Sequence, residues 1–437
     1  MRPVLVDALD NVLHQQHAWR WTGHVIEAAG QSIECVGPLC SIGDCCEIVD
    51  SAGKRHAGEV IGFRGQRVLA MPLVGIDGIR HGDAVVGLGR APHFPAGEGL
   101  IGRVLDAEGQ PIDNAGSLRA SGRERVHRAP TPAMDRIPIR QPLSTGVRAI
   151  DAVLTVGRGQ RIGIFGGSGV GKSTLIGMMT RNTSADVVVV GLVGERGREV
   201  PEFLEDVLGT EGRRRAVVIV STSDQSPLLR LRAGLAATSA AENFAAEGQD
   251  VLLVLDSLTR FAMAARDVGL AAGEPPTAKG YTPSVFNKLA KLIERAGKFR
   301  RGSITAFYTV LMEGDDQQDP IVDAVRSFVD GHVMLSRSLA SEGWYPPIHV
   351  LDSISRLMPA VVSEEHLQAA AALRRAMAIY DRASDLVRIG AYKPGTDEEL
   401  DAAIALQASI RTLLTQNADE KVSLDQAVNG LRGLKSV

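Results

Sequence analysis

Gly166, Gly167, Ser168, Gly169, Val170, Gly171, Lys172 and Ser173 form a complete phosphate-binding loop. Glycine-rich backbone can turn successive N–H groups around phosphate oxygens. Lys172 then reaches the β and γ groups, and the Ser173 hydroxyl ligates Mg²⁺. A helix that starts near Gly171 and runs through Thr174 points its positive end at the same anion, which adds Thr174 to the nucleotide-binding set. The apolar run 161–165 before the loop reads as a buried strand, the context the motif requires.

Hydrolysis of a γ-phosphate needs a positioned water, a metal ion, and cations over the developing charge. Residues 251–255 are an apolar run that ends in Asp256, the form of a strand whose carboxylate holds Mg²⁺ through a bound water. Glu195 follows another apolar run, 187–193, and stands where open α/β sheets bind ligands. There it either polarises the attacking water or pairs with Arg196 or Arg198 at the surface; spacing leaves both open. Arg356 follows a strand-like stretch and is one candidate for a cation given to a neighbour's γ-phosphate, among many arginines that are solvated surface charge. Tyr345, held by the Pro346-Pro347 turn, could stack on an adenine or serve as a core or interface aromatic.

These groups need a sheet to position them. Runs 161–165, 187–193, 216–220, 251–255, 304–310 and 332–335 alternate with helix-like segments, which predicts a mainly parallel sheet flanked by helices, a P-loop ATPase domain over 144–356. Short β-type runs between glycine turns predict a small β-barrel over 21–90. Prolines punctuate a connecting region, 91–143, in which few regular elements are expected. Amphipathic patterns at 364–387, 397–414 and 423–434 predict a helical C-terminal domain over 357–437. Residues 1–20 carry apolar residues at helical spacing, consistent with a short helix that docks on a partner or membrane surface or packs on its own domain.

At 437 residues the chain is long enough for this multi-domain α/β arrangement. The apolar runs are too short to cross a bilayer and the N-terminus lacks a secretion signal, so a cytoplasmic location is expected. The net charge of −3 names no polyanionic partner. No interleaved aromatic and basic residues mark the β-type region for nucleic acid. Cys35, Cys40, Cys45 and Cys46 lack zinc-site spacing and read as small apolar side chains in strands.

Together the motifs resemble the rotary ATP synthase catalytic-subunit superfamily, and within it the ATPase of the flagellar type III export apparatus. The resemblance covers almost the whole chain. It rests on Gln141 through Asp151, the phosphate loop, Gly194-Glu195-Arg196-Gly197-Arg198-Glu199-Val200, Asp256-Ser257-Leu258-Thr259-Arg260, Gly273-Glu274-Pro275-Pro276, residues 302–310 and Asp330-Gly331-His332. Residues 313–320 and 386–392 are similar to flagellar members, and injectisome ATPases tend to differ at the first of these segments. One departure is Tyr345-Pro346-Pro347-Ile348-His349, where the family usually has Tyr-Pro-Ala-Ile-Asp.

The resemblance implies a homohexamer that hydrolyses ATP with Mg²⁺. In it Glu195 is the catalytic glutamate supported by Arg196, Arg356 is the finger that reaches the adjacent subunit's nucleotide, and Tyr345 contacts the adenine. It further implies a peripheral position at the inner face of the cytoplasmic membrane, with a stator-like export regulator, export chaperones and export-gate components as partners. A non-catalytic ring subunit would lack Glu195. An RNA translocase would need the nucleic-acid surface that the N-terminal region lacks.

Overall fold

The computed structural model describes residues 21–312, 314, 316 and 318–434. The helix expected over 1–20 lies outside them, as do Glu313, Asp315 and Gln317 of the flagellar-like segment. Strands β1 (Thr22–Ala29), β2 (Ser32–Val36), β3 (Cys45–Val49), β4 (Arg55–Arg64), β5 (Arg67–Pro72) and β6 (Ala84–Gly87) close into a barrel in the order β1-β2-β5-β4-β3-β6. Alternate residues face inward, so Cys46 and Ile48 of β3 join Val25, Ile33, Cys35, Val60 and Val85 in its core. All four cysteines are free. Burial pushes the Cys35 thiol up to about 12 and raises Cys46 as well, so neither offers a thiolate near neutral pH.

The connecting segment is more regular than its prolines suggest. Strand β7 (His93–Ala96) pairs with β9 (Gly122–Arg125), and β8 (Val104–Asp106) joins the central sheet as an edge strand beside β14 (Ala216–Thr222). Three residues are too few for a periodic signal. Val104 and Leu105 are nevertheless fully apolar and buried, which suffices for an edge position. The short strands β10 (Pro142–Leu143) and β11 (Val156–Gly157) form a ribbon before the nucleotide-binding core.

That core comprises β12 (Arg161–Gly166), β13 (Val187–Glu195), β14 (Ala216–Thr222), β15 (Asp250–Asp256), β16 (Gly297–Lys298), β17 (Ser303–Leu311), β18 (Gly331–Met334) and β19 (Ile354–Ser355). The sheet order is β19-β18-β12-β17-β15-β13-β14-β8, with β16 paired to β17. Neighbours run parallel except β16 with β17 and β19 with β18. The long strands are apolar throughout because both faces are covered. Val187, Val189 and Val193 meet the helices Pro227–Ala246 and Leu258–Ala271; Val188, Val190 and Leu192 pack with Leu175, Ile176 and Met179 of the helix Lys172–Asn182.

Helices Glu364–Arg388, Glu398–Leu414 and Leu424–Gly433 follow, within a residue or two of the segments expected from periodicity. They dock on the core through apolar residues and through His366, whose Nε2 lies 2.7 Å from the Ala152 carbonyl. At the barrel's other boundary, Arg232 on the core helix Pro227–Ala246 meets Glu59 of β4 at 2.7 Å, with both side chains buried.

Asp151, fully buried, organises the turn that leads into the core. It accepts hydrogen bonds from the Thr145 N–H (2.8 Å), the Thr145 hydroxyl (2.7 Å), the Ser144 hydroxyl (2.8 Å) and the Gly146 N–H (3.1 Å). Burial nonetheless outweighs these donors and lifts the carboxyl to about 6. Asp151→Asn turns one acceptor oxygen into an amide that faces donors. The expected loss is about 1–3 kcal/mol, read as a lower thermal midpoint of the full chain.

Candidate nucleotide site

Strand β12 ends at Gly166, and the chain turns through the loop into the helix Lys172–Asn182. Gly171 sits at φ 98°, in the left-handed region that a side chain resists. Lys172 is 8% exposed, and its Nζ donates to the Gly166 carbonyl at 3.0 Å and to the Gly167 carbonyl. Burial lowers its pKa, and the nearby charges of Asp256 and Glu195 partly offset that effect. Ser173 and Thr174 open the helix on its exposed face.

Two strands deliver carboxylates to the same sheet edge. Asp256 ends β15, is 6% exposed, and accepts a hydrogen bond from the Thr309 hydroxyl at 2.6 Å. Thr309 belongs to β17, which lies between β15 and the loop-bearing β12; its backbone pairs with Ile164 of β12 while its hydroxyl holds Asp256. Burial raises the Asp256 pKa against the Thr309 hydrogen bond and the Lys172 and Arg260 charges. Ser257 follows at once and caps the helix Leu258–Ala271, its hydroxyl accepting from the Arg260 N–H.

Glu195 ends β13, where a β-bulge against β14 includes Gly194 at φ 71°. The bulge re-aims the last side chain of the strand. Its carboxylate is mostly buried and lies 3.3 Å from Arg260 Nη2, while Arg260 Nη1 donates to the Gly194 carbonyl. Burial, then the neighbouring charge of Asp256, pushes Glu195 up to about 8, with Arg260 opposing. Such a carboxyl is poised to exchange a proton near neutral pH.

The expectation that Arg196 supports Glu195 meets a different geometry. Arg196 is 62% exposed and pairs with Glu199 at 3.3 Å, and the guanidinium against Glu195 belongs to Arg260. Adjacent residues at a strand end point in opposite directions, so Arg196 turns away where Glu195 turns in. Arg260 closes the segment Asp256-Ser257-Leu258-Thr259-Arg260. Its signal lay in the helix that begins directly after Asp256, whose first turn returns over the same edge. Arg337 is a second basic residue near enough to act on Lys172 through its charge.

Tyr345 reaches the loop. Its ring carbon Cε1 lies 3.9 Å, and Pro347 Cδ 3.8 Å, from where a Cβ on Gly171 would stand, and the ring is 49% exposed. The Pro347-Ile348-His349 departure leaves the local pairing intact. The Pro347 carbonyl accepts from the Ser336 N–H at 2.8 Å, and the His349 N–H donates to the Met334 carbonyl at 2.8 Å.

Arg356 lies apart from this cluster. Its N–H donates to the Asp330 carbonyl, and Asp330 in turn clasps Arg161 at the opposite end of β12 from the loop. Five residue steps of strand separate Arg161 from Gly166, about 17 Å. The exposed Arg356 side chain is therefore too far along the sheet to serve its own chain's loop.

The donor set suits a hard divalent cation. A hydroxyl at Ser173 and a buried carboxylate at Asp256 stand beside a loop built for phosphate oxygens, the ligand types Mg²⁺ takes. Among the described residues no cluster of three or more His, Cys, Asp or Glu forms an all-protein metal cage.

Comparison with known proteins agrees with this architecture domain by domain. Residues 25–89 match the ATP synthase alpha/beta family beta-barrel domain, residues 146–355 its nucleotide-binding domain, and residues 362–433 the T3SS EscN ATPase C-terminal domain. A flagellum-specific ATP synthase of Treponema pallidum is 50% identical over 420 residues, 96% of this chain and 94% of that one. The assembled ATPase EscN from the enteropathogenic E. coli type III secretion system superposes with a TM-score of 0.89 at 42% identity. It covers 94% of this chain and 99% of its own. EscN in complex with its central stalk EscO gives 0.87 at 41%, with the same coverage. The chain belongs to the ATP synthase alpha/beta family, in the group that holds flagellum-specific ATP synthases and type III secretion ATPases.

Proposed function

We propose that this chain is a Mg²⁺-dependent ATP hydrolase that energises flagellar type III protein export as a homohexameric ring. The observation that carries the reading is the meeting of the mostly buried Glu195 and the buried Asp256 with Lys172 at one sheet edge, while Arg356 is exposed at the other end of the sheet. One half of the site is complete within a chain, and the other half faces outward.

On this reading Lys172 leaves the Gly166 and Gly167 carbonyls for the β and γ phosphates, which the N–H groups of residues 166–171 also cradle. Ser173 and, through a water, Asp256 would hold the metal ion, which when bound would neutralise phosphate charge. Glu195 polarises the attacking water, and Arg260 holds its carboxylate in place. Tyr345 supplies a face for the adenine beside Gly171. Arg356 reaches the γ-phosphate bound by the adjacent copy. Arg196, exposed in the single chain, would act only across such a junction.

The assembled state of EscN supports the ring, and its complex with a stalk supports a stalk- or stator-like partner for this chain. Export chaperones, gate components and a peripheral place at the inner membrane face complete the proposal. No described helix is long and apolar enough to cross a membrane.

Expression in a flagellated strain that lacks its own flagellum-specific ATPase tests the export role. Restored hook-protein secretion that is lost with Lys172→Ala is the expected result. Rescue of injectisome effector secretion alone would assign the chain to the other type III branch. Turnover per chain should also rise with protein concentration, because a monomer holds only half of each site; a rate per chain that stays flat from nanomolar to micromolar protein would contradict the ring.

A further inference from the structure

Tyr345 faces the phosphate loop, yet its loop is fastened from the C-terminal domain. Arg411, in the last turn of the helix Glu398–Leu414, donates through Nη2 to the Glu342 carbonyl at 3.0 Å and stands 5.7 Å from the centroid of the Trp344 ring. Two residues past that helix, the Gln416 N–H donates to the Tyr345 carbonyl at 2.8 Å. The Gln416 side chain is buried. Its Nε2 donates to the Gly146 and Glu420 carbonyls, both at 2.9 Å, and its Oε1 accepts from the Arg148 N–H at 2.7 Å. One short stretch of C-terminal chain thus holds the 342–345 loop at three points and anchors to the segment that leads into the core.

We infer that Arg411 and Gln416 are positioning residues that set nucleotide affinity through Tyr345. The inference rests on the reading of Tyr345 as the adenine contact. A ring that is half-exposed has few packing partners to fix it, so its place over Gly171 depends on its backbone, and that backbone is held by Gln416 and by the clamp on Trp344. Loosening the clamp weakens purine binding and leaves the phosphate contacts and the water-polarising group untouched.

Arg411→Ala in the full chain is the cleaner variant. Arg411 is exposed, whereas Gln416→Ala would leave the buried Gly146 carbonyl and the part-buried Arg148 N–H without their partner. Loss of one hydrogen bond and one cation–π contact should raise KM for ATP about three- to tenfold, with kcat changed less than about twofold. Inhibition by inorganic tripolyphosphate, which has no base to stack, should stay unchanged. Arg411→Lys, which keeps the cation over Trp344, should restore part of the affinity. In a Tyr345→Ala background, Arg411→Ala should add nothing. If Tyr345→Ala raises KM and Arg411→Ala does not, or if the two effects add in full, the positioning role is wrong while the adenine contact stands. Weakening of tripolyphosphate and ATP together would also overturn it, since the change would then lie in the phosphate loop. If Tyr345→Ala leaves KM unchanged, the adenine reading fails and this inference with it.

Discussion

Glu195→Gln should lower kcat about 10²- to 10⁴-fold and leave nucleotide binding nearly intact. The amide keeps the size of the side chain but cannot take a proton from the attacking water, so the loss falls on the chemical step. The wild-type pH profile should carry the same residue's signature. Burial and the Asp256 charge hold the Glu195 pKa near 8 in the free protein, so kcat/KM should climb with pH along a limb well above the ordinary carboxylate range, and the Gln variant should lose that limb. A second readout uses stability. Because the folded chain holds this proton more tightly than the unfolded chain, ionising Glu195 costs stability progressively from about pH 4.5 to about pH 8. Without nucleotide, the Gln variant should therefore melt a few degrees higher than wild type at pH 8 and above, and the difference should vanish below about pH 4.5. A Gln variant that turns over within about tenfold of wild type would remove Glu195 from the water-polarising role.

Arg356→Ala should cost more, about 10³- to 10⁵-fold in kcat, or roughly 4–7 kcal/mol of barrier. A guanidinium delivered to a γ-phosphate stabilises charge that exists fully only in the transition state, so ATP affinity should change far less than rate. The exposure of Arg356 and its place beside Asp330, at the opposite end of β12 from the phosphate loop, argue that this effect arises between chains. The single-chain fold should be indifferent to the change, and melting curves of Arg356→Ala and wild type should coincide at concentrations where both are monomeric. A comparable loss of rate from Lys172→Ala would differ in kind, since that lysine belongs to the loop and its removal should weaken nucleotide binding as well.

Much of this was legible in the sequence wherever local pattern and tertiary role coincide. The phosphate loop declares itself because its glycines, Lys172 and Ser173 act through backbone geometry within eight residues. Runs such as 187–193 and 251–255 are apolar on both faces, which only a buried parallel strand requires, and they placed Glu195 and Asp256 on one edge in advance. The C-terminal helices follow from their period. What stayed hidden depends on contacts between distant segments. Arg260 serves Glu195 because a helix turns back across the sheet edge, and nothing in its neighbours' identities says so. Arg196, which the resemblance sets beside Glu195, pairs with Glu199 within the chain, and the guanidinium against Glu195 there comes from Arg260, 65 positions further on. The edge strand β8 is three residues long and sits among prolines and glycines that suggest a loop. Gln416 lies 71 positions beyond Tyr345, and its backbone hydrogen bond leaves no trace in composition or period.

The central claim is that each site is finished by a neighbouring copy, and mixing two inactive variants tests it directly. Lys172→Ala chains keep Arg356, and Arg356→Ala chains keep the phosphate loop. In rings assembled from equal amounts of both, about a quarter of the junctions join an intact loop to an intact arginine. With ring assembly verified for each preparation, ATP turnover in the mixture should exceed that of either parent several-fold and approach that fraction of wild type. Turnover no greater than the average of the two parents would contradict the account and return Arg356 to the surface charge of a single chain.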